Sequence, residues 1–504
     1  MNHAGGVLMS GEVRNFIAGK WVDGAGGRKF TSLNPADIRK TVANVSLSEK
    51  EDVDRAVSAA REAFTKWRLM PAPKRGEILF RAGELLVRRK MELGELVTGE
   101  MGKVLSEGLG DVQEAIDMAF YMAGEGRRLQ GETAPSELYD KDCKTVREPI
   151  GVMALITPWN FPVAIPSWKV FAALICGNTA VLKPSSYTPA CAAALVEVLE
   201  SAGLPSGVLN LVNGPGEETG EYLVTHPGID AVSFTGSCAA GERLEGLLGK
   251  MHRPVAVEMG GKNAIIIMDD ADLSLALEGV LWGGFGTTGQ RCTAASRIVV
   301  HEKVYDRFLE QLKNAAMKLR LGDGLKKETD VGPVVNEQQL RKIAEYVRIG
   351  IEEGAQLAIG GNRVADGHLA HGYFFEPTVF AGVTPQMRIA REEIFGPVVS
   401  VMRCSNLDEA IHIVNDVPFG LSSAIYSSNV NSTAKAEREL QTGIVYINAS
   451  TIGAEIQLPF GGWKHSGSGH PEAGGRGGAL DFYSRIKVIY RDYSGKLQKA
   501  QIGE

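Results

Sequence analysis

Val152-Met153-Ala154-Leu155-Ile156-Thr157-Pro158-Trp159-Asn160-Phe161-Pro162 is a five-residue apolar run that breaks into a polar turn between two prolines. A short apolar run of this kind reads as a strand buried on both faces, and the turn as the loop at its carboxyl end. Three more runs follow, Thr179–Leu182, Val208–Val212 and Ala231–Phe234, with helical spacing between them at about 163–176, 188–203, 216–226 and 237–250. Strands alternating with helices predict a parallel sheet covered on both faces, which binds ligands at the carboxyl ends of its strands. A second alternating region begins near Ala264–Met268. It continues through helices at about 273–288, 303–319 and 336–353 and strands at 296–300, 398–403, 420–426 and 443–448. The expected architecture is therefore α/β with two parallel-sheet domains.

The flanks read differently. Residues 16–22 look like a strand and turn. Ser48 with Glu51 three residues on reads as a capping box ahead of an amphipathic helix. Helical stretches at about 73–103 and 108–127 carry polar faces read as plain solvated surface. Residues 128–150 lose helical periodicity, and Leu480 to Tyr490 partly alternates like a strand. Two such strands would make a small sheet for a second subunit to complete, because an exposed edge invites pairing.

Composition narrows the function. A net charge of −6, with no long basic run, argues against nucleic acid as the main partner. No stretch of 18 apolar residues spans a membrane, and Met1 to Asp23 has no continuous apolar core, so neither a membrane protein nor a signal peptide is expected. Six cysteines (Cys143, Cys176, Cys191, Cys238, Cys292 and Cys404) form neither a zinc clip nor a disulfide framework. No metal site and a cytoplasmic setting are the simplest expectations.

One cysteine stands apart. In Gly283-Gly284-Phe285-Gly286-Thr287-Thr288-Gly289-Gln290-Arg291-Cys292-Thr293-Ala294, four glycines precede the sulfur and let backbone approach a ligand without a Cβ in the way. Glu258, in Val257-Glu258-Met259-Gly260-Gly261-Lys262, is a candidate base. A thiolate attacks electrophilic carbon, and a carboxylate takes the thiol proton or activates water. The competing readings are a buried structural cysteine and a surface glutamate. Asn160 offers an amide donor to a developing oxyanion, against the plainer reading of a turn asparagine. Lys183-Pro184-Ser185-Ser186 ends the second strand. Gly214-Pro215-Gly216-Glu217-Glu218-Thr219-Gly220 is a glycine-rich turn without the usual dinucleotide spacing. Ser233-Phe234-Thr235-Gly236-Ser237 opens a helix whose free N–H groups suit a pyrophosphate.

Together with Glu392-Glu393-Ile394-Phe395-Gly396-Pro397 and Leu458-Pro459-Phe460-Gly461-Gly462, these motifs in this order make the chain resemble the aldehyde dehydrogenase superfamily over nearly its whole length. The resemblance implies that superfamily's fold: two Rossmann-like domains plus a small β oligomerisation subdomain. Residues 1–127 and 151–260 would bind cofactor, 261–462 would carry the nucleophile, and 128–150 with 480–504 would supply the oligomerisation strands. It implies NAD(P)-dependent oxidation of an aldehyde to its acid, with Cys292 as nucleophile, Glu258 as base and Asn160 with the Cys292 N–H as oxyanion hole. Lys169 matches a lysine on a proton path. Lys183 and Glu393 would hold ribose hydroxyls, and Phe395 would pack near the nicotinamide. Ile156, Thr157, Pro158, Trp159, Ser185, Ser186, Gly216, Gly220, Phe234, Thr235, Gly236, Ser237, Met259 and Gly260 would complete the cofactor site beside Glu258. Asn448 would support the site from further off. Phe161, Trp168, Arg291, Thr293, Ile456 and Phe460 are candidate substrate-pocket residues. Arg291 either greets a substrate carboxylate or, as the favoured reading has it, points away and braces its loop.

Two departures from the family pattern matter. Members strict for NAD often carry glutamate where this chain has Ser186, so NADP is expected to be accepted. The turn from Ser466 to Gly478 is longer than in some relatives, which makes Glu472 a candidate for their proton-transfer glutamate. Glu258 itself favours hydrolysis over transfer to coenzyme A. A cofactor-free cysteine esterase and a non-catalytic protein of the same fold are the rival classes. The first leaves the cofactor-type loops unexplained, and the second leaves Cys292, Glu258 and Asn160 intact without a use. Resemblance further implies a homodimer or a homotetramer.

Overall fold

The computed structural model describes residues 11–501. The ends of the two units expected at 1–127 and 480–504 lie outside the described residues.

The first sheet has seven strands in the order Val255–Glu258, Ala231–Thr235, Val152–Ile156, Thr179–Lys183, Leu209–Leu211, Asn15–Ile17 and Lys20–Val22. The first five are parallel. The chain enters at Val152–Ile156, builds outward one way, then returns to build the other way. The order therefore reverses between Val152–Ile156 and Ala231–Thr235, and the crevice above that reversal is where such sheets bind ligands. Every residue of Val152–Ile156, Thr179–Lys183 and Ala231–Thr235 is buried, as helix-covered parallel strands require. The helix Ala164–Ile175 is buried on all sides. Apart from Ser167 and Lys169 it is apolar, because it lies between the sheet and the helix Leu105–Glu125.

The segment read at 16–22 is a hairpin that turns at Ala18 and Gly19, both with positive φ, the conformation a two-residue hairpin loop needs. It lies antiparallel on the edge of the first sheet. The helix Lys50–Trp67 starts one residue later than its sequence signature predicts. Ser48 donates instead to Asn15 Oδ1 at 2.9 Å, and the buried Asp52 accepts from the Glu49 N–H at 2.8 Å. The stretch read as one helix over 73–103 is two, Ala72–Arg88 and Lys90–Met101, and the second stops at Gly102 with φ +99°.

The second sheet runs Gln356–Ile359, Thr378–Ala381, Val398–Cys404, Ala295–His301, Asn263–Ile267, Ser422–Tyr426 and Ile444–Ile447. It is parallel except at its Gln356–Ile359 edge. The helix read over 273–288 ends at Phe285, because Thr287 and Thr288 have positive φ and cannot continue an α-helix. The short 3₁₀ turn Gly286–Gly289 carries the chain to Cys292.

A third sheet pairs Ser484–Asp492 with Lys141–Pro149 over nine residues, antiparallel, with Thr133–Pro135 on the other edge. Leu480 to Phe482, read as part of that strand, form the helical turn Ala479–Phe482. Leu480 and Phe482 are buried there, and Ser484 Oγ bonds the Leu480 carbonyl at 2.6 Å. Ile486, Val488 and Tyr490 are more than half exposed on the strand. No helix among the described residues is long and apolar enough to cross a membrane, and all six cysteines are free thiols.

Candidate active site

Cys292 is held by its backbone, not by its side chain. Asn263 Nδ2, at the start of a central strand, donates to the Cys292 carbonyl at 2.7 Å and to the Ala294 carbonyl at 3.0 Å. The same amide's oxygen accepts from the Ser422 N–H at 3.0 Å. Thr451 Oγ1 donates to the Thr293 carbonyl at 2.8 Å. The fully buried Gln290 donates to the Thr287 carbonyl at 3.2 Å and accepts from the Val335 N–H at 2.9 Å. Gly289 adopts φ +66°, and a Cβ there would collide with the Gly396 carbonyl. Three separate segments thus pin a strained turn, which leaves the sulfur facing a cavity.

That cavity is lined by Cys292, Glu258, Phe161, Trp168, Phe460, Arg291, Thr293, Thr235, Met259 and Glu472, with Glu114, Ile165, Gly453 and Ala454. Glu258 ends the strand Val255–Glu258 beside the topological reversal. Its Oε2 accepts from the Gly462 N–H at 3.0 Å, while Oε1 is buried with no partner. A Cβ on Gly467 would come within 2.8 Å of Oε1, and one on Gly461 within 3.1 Å, so small residues leave that oxygen its space. Burial, then the neighbouring Glu472, push the Glu258 carboxyl well above the usual carboxylate range. Burial also raises the Cys292 thiol, followed by Glu472, Glu393 and Glu258, while the Thr293 N–H opposes. The resting thiol is protonated at neutral pH, so attack requires a proton acceptor.

Glu472 and Lys169 form a buried pair: Lys169 Nζ donates to Glu472 Oε1, and so does Thr235 Oγ1. Lys169 Nζ also reaches Ser233 Oγ at 2.7 Å. Glu472 Oε2 is buried without a partner. The turn that carries Glu472 is zipped to the Glu258 strand, through Ser468 N–H to the Val257 carbonyl at 3.0 Å and Met259 N–H to the Ser466 carbonyl at 2.8 Å. Asn160 is buried in the turn after Val152–Ile156, one residue ahead of the cavity-lining Phe161.

The apolar wall is Phe161 with Trp168 and Phe460, whose rings meet edge to face at 5.3 Å. Gly453 and Ala454 line the cavity, and Ile456 is not among its lining residues. Of the two readings weighed for Arg291, the bracing is present, but the side chain does not point away from the cavity. It braces the loop, with Nε on Thr287 Oγ1 at 2.8 Å and Nη2 on Glu107 Oε1 at 2.9 Å, and it lines the cavity. Asn448 lies further off, at positive φ, with its amide bonded to the Ser427 backbone.

A separate groove is lined by Ile156, Gly216, Gly220, Phe234, Ser237, Ala240 and Leu244 with Glu217, Glu221 and Arg243. It has apolar walls, close-approach glycines and a helix that starts at Ser237, features that fit an adenosine and a pyrophosphate. Lys183, whose amine is lowered to about 8 by burial, donates to the Pro184 carbonyl at 2.9 Å next to Gly220. Ser185 Oγ accepts from the Tyr187 N–H at 3.2 Å, and Ser186 Oγ donates to the Gly214 carbonyl at 3.0 Å. Glu393 accepts from the Gly261 N–H at 3.0 Å, and a Cβ on Gly260 would strike its carboxylate. Phe395, at φ +61°, sets its ring edge-on to Trp159 at 5.3 Å. Gly236 packs under the Phe234 ring, and the Thr157 N–H bonds the Lys183 carbonyl at 3.2 Å, with Pro158 next in that turn. Thr235 and Met259, expected with the cofactor residues, reach the Cys292 cavity.

Sequence reading missed Glu107, Asp111 and Glu114. The helix face read as plain surface is not plain. Glu107 holds Arg291 and the Thr287 N–H. Asp111 pairs with the fully buried Lys103 at 3.0 Å and accepts from the Ala164 N–H at 2.6 Å. Glu114 lines the cavity. Their spacing of four and three residues was the available signal, since it puts three carboxylates on one helix face.

Comparison with known proteins agrees with this geometry. The profile of the Aldehyde dehydrogenase family matches residues 21–489. The chain is 42% identical to alpha-ketoglutaric semialdehyde dehydrogenase of Bacillus subtilis, over 94% of this chain and 97% of that protein. It is 43% identical to 2,5-dioxopentanoate dehydrogenase of Saccharolobus solfataricus, over 95% of this chain and 99% of that protein. Among solved structures it resembles betaine aldehyde dehydrogenase of Staphylococcus aureus in complex with NAD+, with a TM-score of 0.94 at 35% identity, covering 97% of each chain. This chain belongs to the aldehyde dehydrogenase family.

Proposed function

We propose that the protein oxidises an aldehyde to its carboxylic acid with NAD as acceptor, through a thioester on Cys292 that Glu258 hydrolyses. The observation that carries this reading is that Cys292 and Glu258 line one cavity at the carboxyl edge of the first sheet. Asn160 and the Cys292 N–H are assigned to the oxyanion. Losing one such donor costs on the order of 10²–10³ in rate.

In this reading Glu258 receives the thiol proton as the sulfur adds to the aldehyde carbon. A nicotinamide held in the groove would supply the hydride acceptor for oxidation at that carbon, which leaves Cys292 carrying the thioester. The thiol proton then leaves Glu258, whose carboxylate takes another from water as the water adds to the thioester carbon, and the carbon–sulfur bond breaks to release the acid and return the sulfur of Cys292. Glu472, with Lys169, Ser233 and Thr235, provides the route by which that proton departs. Lys183, Glu393 and the groove residues from Ile156 to Ser237 hold the dinucleotide, and Phe395 with Trp159 orients its reactive end. NADP is accepted as well, because Ser186 presents no carboxylate to a 2′-phosphate. Its hydroxyl hydrogen is already given to Gly214, so acceptance rather than preference is expected.

The substrate class follows from the relatives whose names specify alpha-ketoglutaric semialdehyde and 2,5-dioxopentanoate: a short aldehyde with a carboxylate at its far end. Residues 1–127 with 151–260 act as the cofactor unit and 261–462 as the unit that carries the nucleophile. The exposed face of Ser484–Asp492 joins a second copy in a dimer or tetramer. Free cysteines throughout suit a reducing, cytoplasmic compartment. The test is growth of NAD(P)H absorbance with a panel of aldehydes. Cys292→Ser should lose at least about 10³-fold in kcat. Full-speed oxidation by that variant, or a requirement for coenzyme A, would overturn the reading.

A further inference from the structure

Glu114 is the unexplained group of the catalytic cavity. It projects from the middle of the helix Leu105–Glu125 into the space shared by Cys292, Phe161 and Arg291. Its carboxyl makes no hydrogen bond among the described residues, although its helix neighbours at 107 and 111 are both fully engaged. Arg291 beside it is engaged on one side only. Nε and Nη2 are committed to Thr287 and Glu107, while Nη1 has no partner among the described residues. The guanidinium carbon lies 5.3 Å from the Phe161 ring centroid and 6.0 Å from that of Trp282, within reach of a cation–π contact with each ring. A planar cation with a free edge and an unbonded carboxyl thus lie in the cavity that holds the nucleophile.

We propose that the unbonded Glu114 carboxyl and the free Nη1 edge of Arg291 together form the subsite that receives the distal carboxylate of the aldehyde, making Glu114 a specificity-determining residue. This rests on the reading of the Cys292 cavity as the aldehyde site. An unpaired carboxylate there would repel an anionic substrate. A neutral acid instead donates a hydrogen bond to it, and acid-to-carboxylate bonds are among the stronger ones. The groups that face Glu114 are Asp111 and Asp117 on its own helix, Lys103 ahead of that helix, Arg291 from the nucleophile loop, and Tyr446 from the second sheet, itself near Cys292 and Glu455. Burial first, then Asp111, raise the Glu114 carboxyl to about 8, against the opposing pull of Arg291 and Lys103. The acid form is therefore the resting form at neutral pH. A cationic aldehyde is disfavoured by Arg291 in the same wall.

The experiment compares kcat/KM for an acid semialdehyde with that for a neutral aldehyde of equal chain length, as a ratio, across pH. Titration of Cys292 and Glu258 affects both substrates and cancels. In the native enzyme the ratio should fall about tenfold between about pH 7 and pH 9, as the protonated fraction of a group near 8 drops from about nine-tenths to about one-tenth. Glu114→Gln keeps a donor without a titration, so its ratio should be flat over that range. Glu114→Leu should have a low ratio throughout. The change should appear in KM rather than kcat. A native ratio that does not change with pH would overturn the proposal, and this measurement needs no variant to fold. A Glu114→Gln ratio that falls like the native one would overturn it too, as would a cationic aldehyde that shows no gain over the neutral one as pH rises and Glu114 ionises. Failure to oxidise any aldehyde would instead remove the functional reading on which the subsite depends.

Discussion

Glu472→Gln isolates the electrostatic link between the two buried carboxyls. Glu472 is the largest charge raising Glu258, second only to burial. Like unit charges about 4–8 Å apart at an effective dielectric near 20 repel by about 2–4 kcal/mol, equivalent to about two pKa units. Lys169 on the far oxygen offsets part of that field, so a net change of about one to two units is expected. Glutamine removes the charge and keeps an oxygen for Lys169 Nζ and Thr235 Oγ1, so the buried ammonium is not stranded without an acceptor. The sign is downward. With its negative neighbour gone and Lys169 still charged, Glu258 ionises more easily, and the basic form persists to lower pH. The assay is the deacylation phase of a chromogenic ester, resolved from the acylation burst by pre-steady-state kinetics between about pH 5 and pH 9. The acid limb should move down by about one to two units in the variant. The quantity compared is the apparent pKa of the acid limb. A limb that stays in place or moves up would refute the coupling. A reduced plateau with an unmoved limb would make Glu472 a packing residue only.

Asn160→Ala should reduce kcat by about 10²–10³, with KM little changed, because the donor acts on charge that develops only in the transition state. Ser186→Glu should lower kcat/KM for NADP at least about tenfold relative to NAD, since like charges then meet at the 2′-phosphate. Glu114→Gln should stabilise the fold increasingly as pH rises. The folded carboxyl titrates near 8 against a reference of 4.5, so the folded state holds its proton more tightly than the unfolded chain. The stability cost is absent below the unfolded value, grows as pH rises toward the folded one, and then levels off. Thermal denaturation of native and variant protein should therefore diverge from about pH 5 to about pH 8 and run parallel above that. Val488→Lys should shift the protein toward monomers in light scattering without loss of the Lys141–Pro149 pairing, since Val488 is 54% exposed on that strand.

The inner strands of both sheets were legible in the sequence because they are buried on both faces and read as unbroken apolar runs with helices between them, whereas Val255–Glu258, Gln356–Ile359 and Thr378–Ala381 were not read as strands. The misreadings cluster where backbone conformation overrides composition. The 73–103 stretch keeps helical composition across Arg89, yet it breaks there. The 273–288 stretch keeps it up to Thr288, yet Thr287 and Thr288 sit at positive φ to turn the chain toward the sulfur. Ser48 looked like a cap but was recruited by Asn15, a contact 33 residues away in sequence. Leu480 to Phe482 alternate in part like a strand, yet form a helical turn because Leu480 and Phe482 both reach the core.

The sequence by itself determined the two-sheet α/β plan, the identity of Cys292 and Glu258 as candidate nucleophile and base, and the family. Each of these lies in a contiguous motif whose local chemistry is enough to mark it. Only the tertiary structure decided that Glu472 stands against Glu258, that Lys169 meets it from a helix 303 residues earlier, and that Glu107, Asp111 and Glu114 face inward. Their roles arise from burial and from charges delivered by distant segments, and a one-dimensional pattern carries neither.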